Sequence, residues 1–598
     1  MLNSPRRYAL LAVALLAAWA VRADTSNQTN GGFRLEMLVD FPDDALMSPV
    51  VITAAHIDAM MAALREMGVS RVSWGYYGDG HGGFLMPSGL DATWRNYAAT
   101  IEALGNPLQV AAEAAHRHGL ELYAYYKPYE TGPAVYFPEG SPQGLEFGRI
   151  PHRGGWLTWL DPFVVEHPEL RIRHLPGASI GEAVTKTPIC TLKLIKKDDS
   201  PTRITREHLQ LWSSQLNCRY QPLEAEFSVQ ESVEPSAKEV RDVNGTVVTP
   251  MGAPVRTITL TGFALTASYI LVTTDFTDGE PDFVNTGTDM LVALDAEGNE
   301  IPGVFASGNA VWEPGRLDFR NWGLIFDVGF GRSQVYLDKP NGSGREGMLA
   351  FARGRNEYLP GALCETEPRV QEFWLACIRE MLDAGVDGVD FRVENHGTHT
   401  DYDAEYGFND VVLEECARRG QAGPGAIAQV RGEAYTRFLR QAKELIASRG
   451  KRMRINLNID WFRADPPPVR RLAYSANIYY DWKRWLDEGL LDEGILRLFH
   501  LPFDSVFNDS VAGEMIAACQ EKGIPLTVNR YINPQYPEEF SRVRNDGRFS
   551  GFILYEAASC LGFAEPPACT LQNDVVKTVC QLMRESEAAP VPSIPQRT

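Results

Sequence analysis

The stretch Gly385-Val386-Asp387-Gly388-Val389-Asp390-Phe391-Arg392-Val393-Glu394-Asn395-His396-Gly397 decides the fold. Its centre alternates: Asp390, Arg392 and Glu394 share one face of an extended segment, and Phe391 and Val393 share the other. It is entered from an amphipathic helical pattern, EPRVQEFWLACIREMLDAG (367 to 385), that ends on a glycine. A helix stopped by glycine and followed at once by a strand is one beat of a repeating βα unit.

The same beat recurs outward in both directions. Upstream lie RLEMLVDF (34 to 41), a helix ending at Gly68, RVSWGYY (71 to 77), a helix ending at Gly119, and LELYAYYKPY (120 to 129). Downstream lie KRMRINLNIDWF (451 to 462), ILRLFHLPF (495 to 503), IPLTVNRYI (524 to 532) and FSGFILYEAASC (549 to 560), closed by DVVKTVCQLMRES. Eight strand and helix pairs are the number that closes a (β/α)8 TIM barrel. The glycine fingerprint of an open doubly wound sheet is missing from the first turn.

From about residue 169 to residue 339 the helical period vanishes. Short β-prone runs such as RTITLTGFAL, ASYILVTTDF and DMLVALDA stand between Gly, Pro, Asp and Asn turns, which predicts an all-β, sandwich-like domain inserted after strand three. Such an insert can serve as a glycan-binding module or as a structural cover over one side of the barrel. The expected layout is therefore a barrel from residues 34 to 168 and 340 to 590, an insert from 169 to 339, and a tail from 591 to 598.

The N-terminus carries Arg6 and Arg7, an apolar run from Tyr8 to Val21, and the small-residue pattern Val21-Arg22-Ala23. That run is shorter than the ~20 residues needed to span a bilayer, so residues 1 to 23 read as a cleaved signal peptide and 24 to 33 as a linker. Secretion or a periplasmic location is the expectation, with no membrane span after cleavage. Hydrophobic content of 44% and charged content of 22% are those of a packed globular protein. A net charge of -20 argues against a nucleic-acid partner, because phosphate binding needs a basic surface. Nine cysteines lack the paired spacing of a zinc site; Cys560 with Cys569 and Cys190 with Cys218 are the conceivable disulfides.

In a barrel of this kind chemistry gathers at the C-terminal strand ends. Strand four offers Asp390, Arg392, Glu394 and His396, and strand five offers Asn456, Asn458 and Asp460 followed by Trp461. Other strand ends supply Asp40, Tyr76, Tyr77, Tyr125, Lys127, His500, Arg530 and Glu556. A carboxylate pair is the minimum equipment for glycoside hydrolysis, and an aromatic ring beside it can hold the apolar face of a sugar. Glu394 and Asp460 form the first candidate pair, with Asp390 as an alternative to Glu394 and Glu556 as the reserve partner. Asp40, Tyr76, Tyr125, Lys127, Arg392, His396, Trp461, Arg530 and Glu556 are the candidate substrate-binding residues. Asp390 with Arg392 also reads as a buried structural ion pair. The run His396, His399, Asp401, Asp403, Glu405 has no EF-hand or HExxH spacing and reads as a solvated loop, so neither a metal nor an organic cofactor is expected.

With these segments in view, the chain resembles the glycoside-hydrolase-like TIM-barrel proteins of bacteria, many of them exported. The likeness lies in the opening strand and helix, in Gly385 to Gly397, in DYDAEYGFNDVVLEE (401 to 415) and in HPEL (167 to 170), and it spans the barrel but not the insert. Phe391 to Glu394 is also similar to the strand-four segment of the alpha-amylase superfamily, with glutamate at the place of that superfamily's nucleophilic aspartate. The resemblance implies an exported glycoside hydrolase acting on an oligo- or polysaccharide. Two alternatives remain open: a glycan-binding barrel without turnover, and a lyase using Tyr125, Lys127 or Arg530 on an acidic sugar. The sequence leaves the oligomeric state open.

Overall fold

The computed structural model describes residues 32–41, 44–45, 48–76, 95–129, 134–137, 155–158, 162–175, 187–214, 221–223, 226–242, 245–267, 269–276, 282–307, 318–320, 323–324, 334–338, 348–353, 358–393, 403–463, 477–498 and 501–588. Eight strands close a barrel in chain order: β1 (Arg34–Val39), β2 (Val69–Tyr76), β3 (Glu121–Tyr126), β4 (Gly388–Phe391), β5 (Arg452–Asn458), β6 (Glu493–Arg497), β7 (Leu526–Tyr531) and β8 (Gly551–Tyr555). Every neighbouring pair is parallel, and β8 returns to β1. The chain is thus a TIM barrel, as the count of βα beats predicts.

Helices such as Ala54–Glu66, Pro107–Arg117, Pro368–Asp383 and Pro424–Ser448 pack outside the strands. Outward strand residues, among them Val72, Leu122, Val389, Ile455 and Val528, join buried helix residues in one apolar cluster. Where β3 and β4 meet, a Cβ on Gly388 would lie 2.6 Å from the Tyr123 ring and from the Arg452 carbonyl, so only glycine lets the strands approach there.

Between β3 and β4 the described residues form several small sheets and two larger antiparallel ones, of four and five strands. One orders Ser228–Pro235, Pro254–Leu265, Ile189–Ile195 and Leu291–Leu294; the other orders Val304–Ser307, Met348–Arg353, Tyr269–Thr274, Leu209–Ser214 and Gln221–Pro222. Leu192, Leu194, Ile258 and Leu260 from the first share a buried cluster with Leu211, Ile270, Val272 and Leu349 from the second, which makes the insert a sandwich. Its strand Met348–Arg353 lies beyond residue 339, so the sandwich outlasts the shift in sequence pattern. Trp212 and Leu271 belong instead to the apolar cluster of the barrel. Cys560 and Cys569 are free thiols, and Cys218 lies outside the described residues. No described helix is long and apolar enough to cross a membrane.

Candidate active site

The barrel interior is stratified, and the layers follow from the alternation of each strand. At the base, Arg71 Nη1 donates to Glu493 at 2.6 Å, Arg454 Nη1 to Glu36 at 2.7 Å and Arg452 Nη1 to Glu493 at 2.9 Å, while the Arg71 guanidinium lies 4.2 Å over the Tyr123 ring. Burial alone would push the Glu493 carboxyl up, but Arg454 and Arg71 overcome it and bring the group down to about 2. Leu38, Tyr125, Ile495, Ile553 and Tyr555 form a separate apolar cluster in the lumen. Asp390 is enclosed there as well, accepting from Ser73 Oγ at 3.1 Å and from Asn456 Nδ2 at 2.7 Å; burial pushes its carboxyl up to about 6 against the pull of Arg454.

Above this, strand ends β1, β3, β4, β6 and β8 converge. Lys127 Nζ donates to Asp40 Oδ2 at 3.0 Å, Arg497 Nη1 to the Tyr125 hydroxyl at 2.9 Å and Arg392 Nη1 to the Tyr555 hydroxyl at 3.4 Å. Glu556 follows Tyr555 directly, through a cis peptide bond. Burial, and then the charge of Asp40, push its carboxyl up to about 7, although Lys127, Arg392 and Arg497 oppose the shift. Asp44, in the turn after β1, is held well above the carboxylate range by burial and by the charges of Glu556 and Asp40. Asp40 Oδ1, Asp44 Oδ2 and both amide atoms of Asn529 are buried with no hydrogen-bond partner among the described residues. A cluster of three carboxyls with unused polar atoms differs from an ordinary core, whose buried polar groups are paired.

The sequence candidates divide accordingly. Asp40, Tyr125, Lys127, Arg392 and Glu556 meet in one cluster, with Asp390 in the lumen. Asp460 is fully buried at the turn after β5, where its amide donates to Asn458 Oδ1 and its Oδ1 accepts from the Leu501 amide at 3.0 Å. Trp461 packs against the apolar cluster outside the barrel. Arg530 is engaged by Glu539 and by the carbonyls of Leu498 and Leu501. Tyr76 ends β2, with its side chain outside what is described, and Tyr77, Glu394, His396, His399, Asp401 and His500 also lie outside the described residues. Glu405, from the same run, meets His174 Nε2 at 2.8 Å.

Four members of the cluster were missed by residue type and strand end alone: Asp44, Arg497, Asn529 and Tyr555. Parity was the available signal, since Arg497, Asn529 and Tyr555 each stand two residues after an inward neighbour on their strand.

No protein-family model and no curated protein sequence matches the chain. Among solved structures, the glycoside hydrolase domain of PelA from Pseudomonas aeruginosa aligns at 16% identity and a TM-score of 0.20, over 33% of this chain and 64% of that one. The catalytic domain of beta-amylase from Paenibacillus polymyxa aligns at 8% identity and a TM-score of 0.36, over 94% of this chain and 99% of that one. The beta-galactosidase of the psychrophilic Marinomonas ef1 aligns at 8% identity and a TM-score of 0.38, over 93% of this chain and 59% of that one. The chain thus spans less than two thirds of the first and third of these. Likeness at that level leaves function to be argued from the site.

Proposed function

We propose that the chain is an exported glycoside hydrolase whose general acid is Glu556. The observation that carries this reading is the state of that carboxyl: partly exposed at the end of β8, beside Asp40, and pushed up to about 7. A carboxyl in that condition holds its proton near neutrality and can deliver it to a departing glycosidic oxygen. Hydrolysis needs a second carboxylate, as nucleophile or as base for water. Asp40, ion-paired with Lys127, is the partner nearest the acid in electrostatic terms. Glu394, two residues after Arg392 in the sequence and outside the described residues, is the other candidate.

Asp460 fits a positioning role better, since its carboxylate secures the Leu501 amide. The lyase alternative draws less support. Burial pushes the Tyr125 hydroxyl up to about 12, which keeps its proton on and makes it a poor base. The polar cluster above an apolar lumen suits a neutral or weakly charged saccharide, in keeping with the acidic balance of the chain.

The test is release of reducing sugar from a broad glycan panel by the wild-type chain and by Glu556→Gln, Asp40→Asn and Glu394→Gln. Glu556→Gln should abolish turnover, and one of the other two should do the same. Full activity in Glu556→Gln would sink the assignment.

A further inference from the structure

At the top of β7 and β8 the ladder continues one step beyond the barrel core. Tyr531 stands opposite Tyr555 in register, and the Ile532 amide donates to the Tyr555 carbonyl at 3.1 Å. The two rings meet edge to face, 4.9 Å apart and 75° from parallel. Their surroundings differ sharply: Tyr555 is 3% exposed and Tyr531 is 38% exposed. An aromatic ring that is locked by a buried neighbour and yet open to water is a preorganised apolar surface. It is one residue step along the ladder from Glu556.

We infer that Tyr531 is a sugar-binding platform of the Glu556 site, on which the apolar C–H face of a pyranose ring adjoining the cleaved bond is seated. The inference rests on the reading of Glu556 as the acid of a glycan-cleaving site, and it deepens that reading by naming a specificity residue. The ring meets Tyr555 edge to face, the Tyr555 hydroxyl accepts from Arg392, and Tyr555 directly precedes Glu556, so the platform and the acid adjoin the same residue. Covering the platform removes apolar surface from water on both partners, a gain that depends on ring shape rather than charge. Other exposed large hydrophobic residues lie elsewhere: Val233 and Met251 on the insert, and Tyr479 before Trp482–Asp487, with its amide donating to the Ala428 carbonyl of helix Pro424–Ser448.

Such a platform binds the substrate before and during reaction alike, so its loss should appear in KM rather than kcat. With cello-, chito-, malto- and galacto-oligosaccharides as probes, Tyr531→Ala should raise KM about tenfold on the cleaved substrate and leave kcat within about twofold. Tyr531→Phe should restore KM, because the face and not the hydroxyl makes the contact. Tyr479→Ala, which removes a ring of greater exposure, should leave KM unchanged. An unchanged KM in Tyr531→Ala, with turnover still dependent on Glu556, would overturn the platform and leave the hydrolase standing. If wild type turns over none of the probes, the hydrolase reading falls, and equilibrium binding of the same oligosaccharides decides the platform. Weaker binding by Tyr531→Ala alone supports it, and equal binding by all variants or none overturns it.

Discussion

Lys127 Nζ lies 3.0 Å from Asp40 Oδ2, joining the ends of β3 and β1 beside Glu556. Asp40 is therefore engaged on one oxygen by an ammonium group while its other oxygen has no protein partner among the described residues. The pair acts on Glu556 in two opposed ways, since the Asp40 charge raises that carboxyl and the Lys127 charge lowers it.

Removing one of the two should tilt that balance. Lys127→Met leaves the Asp40 charge uncompensated next to the acid and should move the alkaline limb of the pH profile upward. A profile of kcat/KM against pH measures it; an unmoved limb would uncouple Lys127 from the acid.

In the wild type, activity should decline as pH rises through about 7, where Glu556 gives up its proton. Glu556→Gln should lower kcat by at least about a hundredfold below pH ~7, the usual worth of a positioned general acid, with the deficit shrinking above it as wild type loses the same proton.

The same carboxyl should cost stability. Its value when folded, about 7, exceeds its ordinary 4.5, so the native state holds the proton more tightly. The contribution of this group to stability is then most favourable below about 4.5 and is lost as pH rises toward 7. Glu556→Gln should be more stable than wild type by about 3 kcal/mol at pH ~8 and by much less at pH ~5. Urea unfolding at the two pH values checks this, and equal differences at both would refute it.

Glu493 has the opposite sign. Its carboxyl is lowered from 4.5 to about 2, so its contribution is present above 4.5 and lost as pH falls toward 2. Glu493→Gln leaves the guanidinium groups of Arg71 and Arg454 in an enclosed site and should cost about 3 to 5 kcal/mol. Chemical denaturation at neutral pH measures it, with the activity of the folded fraction expected to persist.

Asp460 separates positioning from chemistry. Asp460→Asn keeps an oxygen that can accept from the Leu501 amide and should retain most activity, whereas Asp460→Ala should lose both stability and turnover. Abolished turnover in a fully folded Asp460→Asn would restore a chemical role to this residue.

The barrel was legible because its strands announce themselves by parity and its helices by their glycine stops. Within the candidate site, parity also sorts residues of similar type. Arg530 looks like a strand-end cation for a substrate, but in LTVNRY it takes the face opposite Asn529 and Tyr531, where Glu539 on the following helix receives it. Asp460 and Trp461 stand past the end of β5, where the alternation that would aim a side chain inward has ceased. Asp44 could not be found from strand patterns at all, since the turn after β1 brings it to Glu556 only once β8 closes onto β1. The late strand Met348–Arg353 escaped because short β runs broken by glycine resemble a return to loop.

The sandwich between β3 and β4 also separates two neighbouring barrel strands by a long stretch of chain. When β1 to β3 have been synthesised, β8 and β4, the native partners of β1 and β3, are not yet made. The sandwich has a buried cluster of its own and can form in that interval. Its closure draws the chain after β3 back toward the chain before β4, replacing a long floppy excursion with a folded clasp and reducing the entropy lost when the two strands pair. The insert thereby shortens the effective loop between β3 and β4, while Trp212 and Leu271 tie it to the apolar cluster of the barrel.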